Sequence, residues 1–301
     1  MLNKITYVLS IMLILLVVLA VPVSANELKI SPVLFDGHNT YIIQESGSDG
    51  FKSELVFPLE VKALEMEYSI KTDYPQVSSY NFYISHNLTE SAGKFVDSDW
   101  LYSYQEDKAI YSESDADLDF YLMGLELEST PLQFFNWGGV QFNSILGYRH
   151  QYFDYDVSNL MQENYLDNKQ TKVNGKVLTY ETTYQFPYAG FKLSSTEEEN
   201  LSWEFVLNYS PLVRADDKDI HLLRDKVSNI SAEGDGVELD LGVKYKLRPS
   251  LSINLGLNYI SIDTDGEQVQ KNYEGEVLFD NIDAKLKSEQ KSISVGVDYN
   301  F

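Results

Sequence analysis

Strict alternation of apolar and polar residues over long stretches is the feature that most restricts the fold of this 301-residue chain. Four segments, beginning at Leu201, Val237, Leu251 and Ile293, carry an apolar side chain at every second position and mostly polar or small residues between. Successive side chains of a β-strand point to opposite faces, so this period predicts strands with one apolar and one polar face. The chain is therefore predicted to be all-β.

The alternating strands could pack as a soluble sandwich or close into a membrane barrel whose apolar face meets lipid. The segments are about as long as a tilted strand needs to cross a bilayer. The sequence contains 22 tyrosines, and Tyr209, Tyr245, Tyr259 and Tyr299 lie near strand ends, where membrane barrels carry aromatic girdles. The closing Phe301 resembles the terminal signal that the barrel assembly machinery reads. These features favour a barrel in a membrane.

Predicted connections between the strands alternate in length, as in up-and-down barrels with short turns at one end and long loops at the other. The short connections are 72–76, 128–131, 194–200 and 248–250, and the long ones are 46–50, 88–115, 156–176, 212–234 and 263–285. The predicted strands are 30–45, 51–71, 77–87, 116–128, 132–155, 177–193, 201–211, 235–247, 251–262 and 287–301. We predict a ten-stranded antiparallel up-and-down transmembrane β-barrel spanning residues 26–301.

Residues 1–25 are predicted to be a secretory signal peptide. Lys4 precedes an apolar run from Tyr7 to Val21, and the small-x-small pattern Val23-Ser24-Ala25 follows. A membrane anchor is the alternative, but the apolar run is shorter than the roughly 20 residues that a membrane helix needs. We therefore expect cleavage after Ala25.

The charge balance restricts the partners of the chain. Its formal net charge is -23, so a nucleic acid would be repelled, whereas cationic peptides or metal ions would be attracted. Surface solvation alone is an equally good explanation of this acidity. The chain has no cysteine, which excludes disulfides and thiolate metal sites.

Two acidic motifs fall in predicted long connections. They read Asp97-Ser98-Asp99-Trp100 and Asp217-Lys218-Asp219-Ile220-His221. An Asp beside a His can hold the imidazole in one tautomer and stabilise its protonated form, as a general base requires. A carboxylate couple opposite can share a proton and hold a water molecule. Barrel closure can bring the two motifs to opposite sides of one cleft.

Each motif alone is weak evidence for a site. Asp-x-Asp recurs at 115–117, 117–119, 154–156 and 263–265, so a solvated acidic loop is the simpler explanation of any one copy. The four histidines are scattered through the sequence, which argues against a histidine-rich zinc site, and no metal site is predicted. Calcium on loop carboxylates and a Ser–His hydrolase remain open, although no serine-centred motif stands out.

Taken together, the motifs resemble those of the omptins, ten-stranded outer-membrane proteases of Gram-negative bacteria. The resemblance implies that Asp97 and Asp99 hold the water, His221 is the base, Asp219 orients it, and Asp217 lines a pocket for basic side chains. It extends to segments 186–191 and 296–301. The expected function is that of an aspartic-type endopeptidase in the outer membrane, with its active site facing the exterior and acting on cationic peptides or proteins.

The sequence also departs from the omptin pattern. Segment 36–41 lacks the glutamate that completes the omptin pocket for basic residues. Omptins depend on lipopolysaccharide, held by a Tyr, a Glu and basic residues on the barrel flank. Tyr148 matches that Tyr, whereas His150 and Tyr152 replace the Glu and an Arg, and Thr183 replaces another Arg. No cofactor is predicted, and the dependence on this lipid is left open. A non-catalytic barrel, such as an adhesin or structural protein, is the rival function, and a passive pore is a third.

Overall fold

The computed structural model describes residues 26–44, 50–72, 74–102, 107–131, 139–195 and 200–301. The predicted signal peptide at 1–25 lies outside the described residues, as does most of the predicted connection 46–50. No helix among the described residues is long and apolar enough to cross a bilayer.

The described chain forms twelve strand segments. They are β1 (Asn26–Gln44), β2 (Lys52–Pro58), β3 (Val61–Lys71), β4 (Val77–Asn87), β5 (Ser91–Trp100), β6 (Ile110–Ser129), β7 (Val140–Asn164), β8 (Lys169–Ser195), β9 (Leu201–His221), β10 (Lys226–Arg248), β11 (Leu251–Lys271) and β12 (Val277–Asn300). Every pairing is antiparallel, and β12 pairs with β1 to close the sheet.

The barrel is ten strands in circumference because two of its strands are interrupted. Both β2 and β3 pair with β1, and both β4 and β5 pair with β6, so each couple forms one long strand. The first break faces Gly37, whose φ is +151° and whose missing Cβ would lie 2.1 Å from the carbonyl oxygen of Glu289. Glycine therefore permits the close approach of β1 and β12 there. The predicted ten-stranded antiparallel barrel is confirmed.

Along the strands the apolar side chains change from one face of the sheet to the other, and this change marks the membrane boundary. On β10 the inward residues change from Ile230 and Ala232 to Glu238, while the outward residues change from Glu233 to Leu239. Apolar side chains thus face outward over a belt near the chain termini, as lipid requires, and inward beyond it, where water surrounds the wall. On β9 to β12 this membrane belt comprises the outward residues of 201–209, 239–247, 251–259 and 293–301.

Most of the predicted long loops are in fact strands. Segments 156–164, 212–221, 226–234 and 263–271 continue their ladders beyond the membrane belt, and β5 occupies 91–100. The prediction of loops there was wrong because strands were recognised by the apolar residues on their outward face. Above the belt the outer face meets water, so the pattern that marks a lipid-facing strand disappears although the strand continues.

The lumen of the membrane belt is filled by side chains. Arg149 pairs with Glu238 and donates from Nε to Tyr83 Oη at 3.0 Å, and Lys192 pairs with Glu128. Such packing is expected of a narrow barrel and leaves the lumen blocked at this level. The arrangement argues against a passive pore.

Candidate active site

The end of β9 directs three of the predicted site residues into the barrel. Asp217, Asp219 and His221 occupy alternate positions on this strand, with Lys218 exposed between the two carboxylates. Because alternate residues share one face of a strand, all three point inward. The sequence placed them in a loop, whereas the structure holds them in a ladder between β8 and β10.

Asp219 and His221 are in direct contact. His221 Nε2 lies 2.8 Å from Asp219 Oδ2, and the Asp219 side chain is only 1% exposed. Neither carboxylate oxygen of Asp219 makes a hydrogen bond of standard geometry with a described residue, so the contact with His221 is defined by its distance and burial. A buried carboxylate at this distance holds the imidazole in one orientation and stabilises its protonated form.

The other predicted couple, Asp97 and Asp99, lies on β5 rather than in a loop. These residues face Leu55 and Ser53 across the β2–β5 ladder and are partly buried. Trp100 follows at the end of the strand, and Lys52 Nζ lies 4.5 Å from its ring centroid. This cation–π contact fixes the strand end next to Asp99.

One cavity of about 250 Å³ unites the two motifs at the end of the barrel far from the chain termini. Its lining includes the acidic residues Asp97, Asp99 and Asp219 and the basic residues His221, Arg224 and Lys226. The motifs are more than a hundred residues apart in sequence, and ring closure of the sheet brings them to opposite walls. Asp217 is not among the lining residues.

Burial controls the protonation of the Asp97–Asp99 couple. Desolvation, followed by the charge of Asp99, raises the pKa of Asp97 to about 7, while Arg224 acts in the opposite direction. Asp97 can therefore keep its proton near neutral pH while it lies beside a second carboxyl. Such a couple can accept a hydrogen bond from water and donate one to an oxygen.

Asp217 lies below the site cavity. One carboxylate oxygen, Oδ1, accepts a hydrogen bond from the Ile230 backbone N–H at 2.9 Å, whereas Oδ2 makes no hydrogen bond of standard geometry with a described residue, although the Tyr180 hydroxyl is near enough to stabilise the charged form. Burial, followed by the charge of Asp219, raises the pKa of Asp217 well above its usual range. A buried carboxyl with an unused oxygen is suited to receive a cationic group.

An aromatic layer closes the barrel beneath the site. Phe57 stacks on Tyr180 with ring centroids 3.9 Å apart, and Phe95 and Tyr155 pack within 4.7 and 5.1 Å of Phe57. Tyr41 completes the layer and also lines the site cavity. Phe57 is 0% exposed, so this layer separates the site from the polar lumen below.

Sequence reasoning missed three residues around the site. Arg224 and Lys226 line the cavity, and Tyr273 donates a hydrogen bond from its hydroxyl to the backbone oxygen of His221 at 2.6 Å. Arg224 and Lys226 come soon after the Asp-x-Asp-x-His motif in the sequence, and this proximity could have indicated that they belong to the site. No comparable signal marks Tyr273, because its contact depends on how two hairpins pack together.

A larger cavity, of about 810 Å³, lies on the outer flank and contains none of the predicted catalytic residues. It is lined by Tyr148 and by both Arg214 and Lys285, whose charges are paired with Glu233 at 3.0 Å and Asp265 at 2.5 Å. Its lining also includes Asp235 and Asp263. The flank therefore presents more negative than positive charge.

Comparison with known proteins agrees with this architecture. The omptin family model matches residues 55–301. The crystal structure of the outer membrane protease OmpT from Escherichia coli superposes with a TM-score of 0.79 at 16% identity, covering 93% of this chain and 98% of that one. The outer membrane protein OprG from Pseudomonas aeruginosa is less similar, with a TM-score of 0.40 at 11% identity, covering 91% of this chain and 95% of that one. Comparison with curated proteins finds no significant match.

Fold and family match together define this chain as an outer-membrane β-barrel, and its location is the outer membrane. It belongs to the omptin family. The resemblance expected from the sequence motifs is thereby confirmed.

Proposed function

We propose that this chain is an endopeptidase whose active site faces the cell exterior and hydrolyses peptide bonds with a water molecule activated by His221. The observation that carries the proposal is the single cavity into which the Asp219–His221 pair and the Asp97–Asp99 couple both open. Both elements of an acid–base mechanism face one space large enough for a water molecule and a peptide carbonyl.

The mechanism uses His221 as the base and later as the acid. The imidazole removes a proton from the water held by the Asp97–Asp99 couple, and the water oxygen forms a bond to the carbonyl carbon. Asp219 stabilises the resulting imidazolium. When the tetrahedral intermediate collapses, the C–N bond breaks and the amine takes the proton back from His221. No covalent enzyme intermediate forms.

Cationic peptides or proteins are the proposed substrates. The carboxylates of the cavity attract positive charge, and below them Asp217 offers a buried carboxyl whose charged neighbours, Asp216 and Asp219, are themselves negative. Binding of a lysine or arginine side chain would give this carboxyl the counter-charge that it lacks.

We propose that catalysis does not depend on lipopolysaccharide, because the outer flank does not suit phosphate groups. Tyr152 lies opposite Tyr121 and stacks on it at 5.2 Å, and one step higher Asp154 lies between Asp119 and Glu181. Burial, followed by the charge of Glu181, raises the pKa of Asp154 to about 6. Carboxylates that already repel one another would oppose a further anion.

The test of the proposed function is cleavage of a lysine-containing peptide by the purified, folded barrel. His221→Ala and Asp97→Ala should each lower kcat by roughly 10²- to 10⁴-fold while retaining the heat-modifiable mobility of a folded barrel. Matched controls are His86→Ala, an exposed histidine of the outer wall, and Asp263→Ala, from an Asp-x-Asp copy on the outer face. Absence of cleavage by the wild-type protein across pH 5–9 would instead support a non-catalytic barrel.

A further inference from the structure

The proposed site contains an electrostatic difficulty. Attack of water converts the peptide carbonyl into an oxyanion, and the neighbouring groups include Asp97, Asp99 and Asp219. Carboxylates near a developing negative charge oppose its formation, most strongly in a site of low dielectric. A hydrolase of this kind therefore needs a positive or hydrogen-bond-donating group aimed at the oxyanion.

Lys226 is a cation that lies beside the proposed base. It begins β10 and lies directly opposite His221 in the β9–β10 ladder. Opposite residues of an antiparallel pair project to the same face, so Lys226 points into the barrel beside the imidazole. Its half-buried side chain lines the site cavity together with Asp97 and Asp99.

The ammonium group of Lys226 is available for a ligand. Ion pairs within 4.0 Å are formed by many lysines of the described segments, such as Lys244 and Lys287, but Lys226 forms none there. Burial lowers the pKa of Lys226, and the charges of Asp219, Asp97 and Asp99 act against this shift. Lys226 is thus a partly desolvated donor held near carboxylates without being bound to one.

Arg224 is the other cation of the cavity and is less suited to this role. Arg224 is exposed and lies in the turn between β9 and β10, whereas the backbone of Lys226 is held in the β9–β10 ladder. A donor fixed by strand pairing needs little reorganisation when charge develops, and preorganisation is the main source of oxyanion stabilisation.

We propose that Lys226 Nζ donates a hydrogen bond to the oxyanion of the tetrahedral intermediate and is a catalytic residue of this enzyme. This inference rests on the proposed endopeptidase function. The ammonium keeps its proton throughout. As the water oxygen bonds to carbon, the carbonyl π electrons move to the oxygen facing Lys226, and they return when the C–N bond breaks.

The kinetic test compares Lys226→Met with Lys226→Arg. Loss of the charge should lower kcat roughly 10²- to 10³-fold, the range for removal of one oxyanion donor. KM should stay constant or fall, because removal of a cation favours a cationic peptide. Lys226→Arg should retain more than a tenth of kcat. The matched control is Lys218→Met, which removes an exposed lysine between Asp217 and Asp219 on the outer face and should leave both constants unchanged.

A binding measurement separates this inference from the proposed function. A peptide phosphonamidate carries a tetrahedral anion at the scissile position, so Lys226→Met should weaken its binding by about the same factor as kcat. Binding of the parent peptide to a His221→Ala, Lys226→Met double variant should not weaken. If the wild type cleaves, His221→Ala is inactive, and Lys226→Met matches the wild type in kcat, only the Lys226 inference is overturned. An inactive wild type overturns both.

Discussion

The hydroxyl of Tyr273 donates a hydrogen bond to the backbone oxygen of His221 at 2.6 Å. The Tyr273 backbone N–H donates to Asp225 Oδ1, also at 2.6 Å. Hairpin β11–β12 is therefore tied to hairpin β9–β10 at the residue that carries the imidazole. The position of the base depends on a neighbouring hairpin as well as on its own strand.

Tyr273→Phe should lower kcat about 3- to 10-fold, because loss of one hydrogen bond worth roughly 0.5–1.5 kcal/mol loosens the backbone that positions His221. KM should change less than twofold. Steady-state kinetics with a lysine-containing peptide measures both constants. Tyr165→Phe, at the tip of the β7–β8 hairpin, is the matched control. Equal kcat values for Tyr273→Phe and the wild type would show that the contact does not position the base.

Asp217→Asn should reduce kcat/KM for a lysine substrate roughly 10- to 100-fold, the loss expected for one charged hydrogen bond. A methionine isostere of the substrate should be affected little. Because the pKa of Asp217 is raised, its carboxyl must lose a proton before it pairs with a cation. KM for the lysine peptide should therefore fall as pH rises, and this dependence should disappear in the variant. An unchanged preference for lysine would exclude Asp217 from the pocket.

Asp97→Asn should stabilise the folded barrel at pH 8 but not at pH 4. The pKa of Asp97 rises from 3.8 to about 7 on folding, so the folded state binds the proton more tightly than the unfolded state. The free energy of unfolding of the wild type therefore decreases as pH rises through this interval, by on the order of 2–4 kcal/mol in total. Urea titrations at both pH values measure the difference. An equal change in the free energy of unfolding at both pH values would contradict the conclusion that burial raises the pKa of Asp97.

Lipopolysaccharide should not activate the enzyme. Protein folded in detergent without this lipid should cleave the peptide at the same rate, within about twofold, when the lipid is added, and its thermal midpoint should not rise. The double variant Tyr152→Arg, Thr183→Arg places two cations on the flank and should gain a lipid-dependent rise in the midpoint. Strong activation of the wild type by the lipid would overturn this proposal.

The sequence predicted the barrel well within the membrane belt and poorly above it. Residues such as Leu239 and Leu255 face lipid and alternate strictly with polar or small residues, so their strands could be located directly. At β5 and at the far ends of β7–β12 the outer face is solvated and the apolar residues point inward. Strand pairing there is set by the ladder rather than by a lipid-facing pattern, so those segments looked like loops.

The two motifs of the site were visible in sequence, but their environment was not. Asp219 and His221 could be paired by their Asp-x-His motif, but that both side chains share one face followed only once the segment proved to be a strand. The position of Lys226 opposite His221 could not be predicted without knowing the length of the β9–β10 turn. The contact of Tyr273 with His221 could not be predicted without knowing how two hairpins pack together. Burial of Asp217 likewise depends on the aromatic layer, whose members come from five different strands.

Because Asp217, Asp219 and His221 are carried by one continuous ladder, insertion of a single codon upstream of them within β9 would rotate all three side chains to the outer wall. Insertion of two codons would restore their direction while raising them along the wall. A single-residue offset below the site therefore has to be absorbed by a bulge, like the one that β9 already carries between Ser210 and Val213, if the three side chains are to keep facing the barrel interior.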